Sequence, residues 1–269
     1  MRLRLARHSL STPAIILFFS FNIAYAQDNF IQTFEQANTF YKENKFDQAI
    51  GGYNKIIEQG LENGNLYYNL ANSYFKKGEL GKAILNYERA RILMPSDGDL
   101  KSNYDYACSL AGLDKAPKKI IARIFAGFSL DSLAVILFIL QGAIFLILIF
   151  RVILGRQVRF YKTAIVCLSA AFLLAGWSFK RKIDWLNKGA VVIAREAEAR
   201  FEPLEGSTAH FTLTQGSPVE IMDTAQVWLK VRRFDGKKGW VKKEAVEWLR
   251  LWLRLSEAAP SPSGLLIKL

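Results

Sequence analysis

From Ser132 to Phe150 the chain runs for 19 residues without a charged side chain, and from Thr163 to Phe179 it does so again for 17. A 19-residue helix is about 29 Å long, enough for the roughly 30 Å hydrocarbon core of a bilayer. In that solvent only helices and closed barrels satisfy every backbone group. Two apolar helices, at 132–150 and 163–179, joined by a basic loop at 151–162, therefore constrain the fold more than any other feature. Tyr161 and Trp177 stand where aromatic rings favour the membrane–water boundary. The competing reading is a hairpin buried in a soluble protein, which both lengths disfavour. Cys167, Ala171 and Ala175 form a small-residue ridge suited to packing on the first span.

Hydrophobic residues make up 51% of the chain while 22% is charged, so apolar and polar material must be segregated along it. Charge is segregated too. Asp28 to Lys115 carries ten Lys/Arg against twelve Asp/Glu, whereas Lys118 to Arg254 carries twenty-two against eleven. The chain opens with Arg2, Arg4 and Arg7, an apolar run from Ala14 to Ile23, and Ala24-Tyr25-Ala26. Basic start, short apolar core and Ala-x-Ala end predict a signal peptide over 1–26, with an uncleaved anchor as the alternative. Either way the following residues are exported. Arg151, Arg156, Arg159 and Lys162 favour a cytoplasmic loop, but Lys118, Lys119, Arg123 and Lys180 to Lys182 flank the other ends. The leader decides the orientation: exported residues first, a loop inside, and a return to the outer side. Cys108 and Cys167, the two cysteines, fall in different compartments on this reading and are not disulfide partners.

Residues 27–114 repeat. A shift of 34 superimposes Ala37 on Ala71, Asn38 on Asn72, Tyr41 on Phe75, Ala49 on Ala83 and Tyr53 on Tyr87. Small residues where two helices cross, with aromatics beside them, resemble the tetratricopeptide repeat. The second copy carries Leu70-Ala71, Tyr74, Gly78, Ala83, Tyr87, Ala90 and Pro95 at the pattern's positions; the first has Leu61 where proline would fall. Residues 96–113 continue in register and read as a capping helix, with Tyr104 and Leu110 covering the last apolar stripe. A juxtamembrane segment, 115–131, follows.

After Lys188 the pattern changes to short β-rich runs between Gly, Pro and Asp turns. Strands are expected at Val191 to Ala194, Ala209 to Leu213, Pro218 to Met222, Trp228 to Arg232 and Gly239 to Val241. With Gly216, Trp228 and Gly239-Trp240-Val241, residues 189–249 resemble the bacterial SH3 family, a small barrel. Residues 250–269 read as a flexible tail. The fold class is therefore multidomain: all-α tetratricopeptide repeats, a two-helix transmembrane hairpin and a small all-β SH3-like barrel.

The side chains do not foreshadow catalysis. His210 is the one histidine after the leader, no Cys/His cluster has metal spacing, and no phosphate loop or nucleophile elbow occurs. The acid pairs Glu196/Glu198 and Glu202/Glu205 fall in expected loops, where solvation is the simplest account. No enzyme activity, cofactor or metal is expected. Lys230, Arg232, Arg233, Lys237, Lys238, Lys242 and Lys243 suit anionic headgroups, an acidic partner or a cell-wall polymer, or merely a solvated face. An exported barrel does not meet nucleic acid. Trp228 and Trp240 are core residues or a ligand platform.

In the repeats, Asn38, Asn69, Asn72 and Asn103, with Tyr68 and Phe75 nearby, line the expected groove. An asparagine ladder either pairs with an extended peptide backbone or ties the helices together. The whole order of leader, repeats, hairpin and barrel resembles the BatE proteins of bacterial aerotolerance (Bat) operons. That resemblance implies an inner-membrane scaffold in envelope stress tolerance, with von Willebrand A-type Bat proteins as partners and a MoxR-type ATPase acting indirectly. The alternative function is peptidoglycan binding through the barrel.

Overall fold

The computed structural model describes residues 30–113, 127–154 and 161–249. The expected signal peptide, the flexible tail, most of the juxtamembrane segment and the middle of the loop at 151–162 lie outside the described residues.

Five helices form the first body: α1 over 30–42, α2 Phe46–Glu58, α3 Gly64–Lys76, α4 Leu80–Leu93 and α5 Gly98–Leu110. Local chemistry sets their ends. Asn63 and Asp97 cap α3 and α5 by accepting from the Leu66 and Leu100 amides at 2.7 and 2.8 Å. Gly78 takes φ +79° in the α3–α4 turn, a conformation cheap only for glycine. Ala37, Ala49, Ala71 and Ala83 are fully buried, so the helix pairs approach closely. Tyr104 packs against the core of the second repeat as expected, but Leu110 is 53% exposed and lies outside that core. Leu100, Ala107 and Cys108 take that role from the same face of α5.

Two long helices follow, α6 Leu130–Leu154 and α7 Tyr161–Lys188, both long and apolar enough to cross a membrane. Leu133 on α6 and Ala175 on α7 are buried, and a methyl group at Gly176 would touch Leu137. The small-residue ridge is only partly used: Ala175 packs inward, while Cys167 is exposed because the 3.6-residue period carries it around the helix. α7 outruns its apolar run by nine residues and passes directly into the first strand.

The last body is one antiparallel sheet of seven strands: β1 Gly189–Val192, β2 Glu196–Arg200, β3 Ala209–Thr214, β4 Pro218–Ala225, β5 Trp228–Arg233, β6 Lys238–Lys242 and β7 Val246–Trp248. Their order is β3-β2-β6-β5-β4-β1-β7. Two of the seven, β2 and β7, were not expected. Glu196 and Glu198 therefore sit in a strand rather than a loop, alternating outward while Ala197 and Ala199 face the core. The fold class read from the sequence holds: helical repeats, an apolar helix pair and a small all-β body.

Repeats and sheet are not separate beads. Ala190 and Val192 enter the sheet core, whereas Val191 enters the core of the second repeat together with Leu186 of α7 and Leu249. β1 is thus buried on both faces.

Candidate functional site: an amide ladder and a docked barrel

The expected groove residues come together, and they bond chiefly to one another. Asn69 Nδ2 donates to Asn38 Oδ1 at 3.0 Å, and the Tyr53 hydroxyl donates to the same oxygen at 2.7 Å. One repeat later, Asn103 Nδ2 donates to Asn72 Oδ1 at 3.2 Å and the Tyr87 hydroxyl to that oxygen at 2.6 Å. Asn103 also donates to the Tyr68 hydroxyl at 2.8 Å. Each set joins the first helix of one pair, the second helix of that pair and the first helix of the next. Burial pushes the phenols of Tyr41, Tyr53 and Tyr87 above the ordinary tyrosine range. Phe75 is half-buried at the edge of this face, its ring 5.8 Å from that of Tyr106, which is 59% exposed.

The second repeat is also where the barrel docks. Arg89 on α4 donates to Glu247 Oε1 at 3.0 Å and to the Trp248 carbonyl at 2.8 Å through Nη2, and to Asn86 Oδ1 at 3.2 Å through Nη1. Its guanidinium also lies over the Tyr67 ring, 5.7 Å from the centroid. Two glycines allow the approach. A Cβ at Gly81 would lie 2.8 Å from the Ile193 backbone, and one at Gly216, already at φ +79°, would lie 2.3 Å from Ile84 Cδ1. Ser96, between α4 and α5, donates to the Gly127 carbonyl at 2.9 Å, and Lys182 of α7 donates to the neighbouring Phe128 carbonyl. The repeats therefore rest on both the helix pair and the sheet. None of this docking was expected from the sequence, although the unbroken apolar run Ala190 to Ile193 signalled a strand without a polar face.

A cleft of about 760 Å³ opens between the bodies, lined by Gly78, Leu110 and Ala111 from the repeats and by Arg195, Thr214 and Gln215 from the sheet. A second, of about 530 Å³, lies on the barrel between Trp228, Arg200, Lys242, Glu198 and Ala197.

The expected barrel contacts are dispersed. Trp228 is buried at 5% exposure and forms a wall of the second cleft. Trp240 is half-buried, with Lys230 Nζ 5.4 Å above its ring. Arg232 pairs with Glu220 across the β4–β5 ladder at 2.5 Å, and Arg233 pairs with Asp235 at 2.5 Å while lying over Phe211. The Arg233 guanidinium holds the Asp235 carboxyl down at about 2. Local carboxylates thus offset both arginine charges. His210 packs on Phe201, ring centroids 4.3 Å apart. Burial raises the Cys108 thiol to about 11, which makes it a poor nucleophile. Among the described residues no cluster of three or more His, Cys, Asp or Glu is placed to hold a metal ion.

Residues 64–97 match the tetratricopeptide repeat family, and residues 196–247 match the bacterial SH3 domain family. Both are binding modules rather than catalytic ones, and the first points to protein partners. No curated protein matches the chain.

Proposed function

We propose that the protein is a membrane-anchored interaction scaffold of the bacterial cell envelope. Its tetratricopeptide face holds an extended segment of a protein partner, and α6 and α7 fix it in the cytoplasmic membrane. Repeats and barrel stand together on the outer side. The shared core at Val191, Leu186 and Leu249 supports a common side for the two bodies, since they pack into one another, and the leader-like start ending in Ala24-Tyr25-Ala26 supports the outer one. The amide ladder supports the partner mode. Its bonds use Oδ1 of Asn38 and Asn72 and Nδ2 of Asn69 and Asn103, and among the described residues the opposite end of each amide is open to a backbone laid along the face.

The order of modules further supports a place in a Bat-type stress or aerotolerance complex. Von Willebrand A-type Bat membrane proteins would be the direct partners, with a MoxR-type ATPase acting through them. Phe75 and Tyr106 test the face without cutting the ladder. Replacing both with alanine in the full chain should reduce crosslinked recovery of membrane partners at least tenfold, with unchanged helix content. Unchanged recovery would count against the groove.

The cleft beside Trp228 favours a second reading, peptidoglycan binding through the barrel. An aromatic wall flanked by Arg200, Lys242 and Glu198 suits a hydroxyl- and amide-rich polymer. The purified full chain should then sediment with isolated sacculi, and Trp228→Ala with Lys242→Ala should abolish it. The full chain is required because removing the repeats would bare Val191 and Leu249.

A further inference from the structure

Gln141 is the middle residue of the uncharged run 132–150, with nine residues on either side. One face of α6, through Leu133, Ile136, Leu137, Leu140 and Ile144, is buried or half-buried, and Ala175 lies buried on α7. Gln141 lies on the other face. Its side chain is exposed, in line with Phe138 and Phe145 at 79% and 64% exposure. Among the described residues its carboxamide has no hydrogen-bond partner.

On the reading that α6 spans the membrane, this amide sits at the bilayer midplane facing lipid. Nine helical residues are about 13 Å of rise, beyond the reach of a glutamine side chain, so it cannot snorkel to the headgroups. An unpaired amide in hydrocarbon is costly, and α7 leaves it unpaired. A polar group on another helix at the same depth would relieve that cost.

We propose that Gln141 centres a membrane-embedded contact with a second copy of this chain. A carboxamide carries one acceptor and two donor hydrogens, so two of them pair reciprocally. Copies inserted in the same sense bring the same residue to the same depth, and a two-fold axis beside Gln141 satisfies both amides at once. Gly142 adjoins it, and a Cβ there would meet nothing within 4 Å, so a second backbone can come close. The scaffold would then present two grooves side by side.

The test uses the full chain in lipid vesicles, with donor and acceptor dyes on Ser102→Cys in a Cys108→Ala, Cys167→Ala background. Energy transfer should rise with protein-to-lipid ratio as a dimer isotherm. Gln141→Leu should weaken association by roughly tenfold, while Gln141→Asn keeps it, and neither should alter helix content. Association of Gln141→Leu equal to that of the parent would overturn the proposal. Flotation with the vesicles separates the failures: a chain that floats but stays monomeric overturns the dimer alone, and a chain that does not float removes the membrane reading as well.

Discussion

Asn69 donates to Asn38 at 3.0 Å, and Asn103 donates to Asn72 at 3.2 Å in the equivalent place one repeat later. Tyr53 and Tyr87 complete each set from the second helix of the pair. The period of the sequence is thus also a period of hydrogen bonds. Each oxygen accepts two donors, so Asn38 and Asn72 are the nodes of the repeat stack.

Asn72→Ala should therefore strip the Tyr87 hydroxyl and one Asn103 hydrogen of their acceptor in a half-buried place. The expected loss is about 2 kcal/mol, a midpoint several degrees lower in thermal unfolding of the helical signal. Asn65→Ala, at an exposed position of the same helix, should stay within about 0.5 kcal/mol. Equal losses would mean that the ladder contributes nothing.

The second prediction concerns docking. Arg89→Ala removes two hydrogen bonds from α4 to β7, together with one inside α4 and a ring contact to α3. Glu247 is 42% exposed and can turn to water, so the loss should fall at about 1–3 kcal/mol rather than the larger cost of a fully buried pair. Repeats and barrel should then unfold as two transitions instead of one by calorimetry.

Gly81→Ala reverses a familiar sign. In an exposed helix interior the change stabilises by about 1 kcal/mol. Here the new methyl meets the Ile193 backbone at 2.8 Å, and backbone cannot swing aside. The full chain should lose about 1–3 kcal/mol, measured by denaturant unfolding. A gain would show that α4 does not rest on the sheet.

Much of this was legible in the residues, and what escaped has physical causes. The apolar runs declared two helices by length, and Asn38, Asn69, Asn72 and Asn103 declared a ladder by spacing. β2 was missed because its inward residues are Ala197 and Ala199, whose small side chains give the strand little hydrophobic contrast. β7 is three residues long, too short for a pattern. Tyr53 and Tyr87 read as packing aromatics, so their hydroxyls' part in the ladder stayed hidden. Docking escaped because Gly81 and Arg89 look like ordinary surface choices until β1 is known to be buried on both faces.

Burial also fixes an alkaline limit. Desolvation raises the phenols of Tyr53, Tyr67, Tyr87 and Tyr104 above their ordinary value. A raised acid is held neutral by the fold, so its contribution is complete below the unfolded pKa of about 10 and is lost as pH rises above it. Helicity should hold to about pH 9.5 and then fall cooperatively, together with tyrosinate absorbance near 295 nm. Full tyrosinate formation with helicity intact would contradict the buried ladder.

The central claim is that repeats and barrel share one side of the membrane, outside the cytoplasm. Single cysteines at Ser102 on α5 and Ser207 in the β2–β3 turn, in a chain lacking Cys108 and Cys167, report on each body separately. In intact spheroplasts a membrane-impermeant maleimide should label both without lysis. Labelling of one alone would break the docked pair, and labelling of neither until the cells are opened would place the scaffold inside.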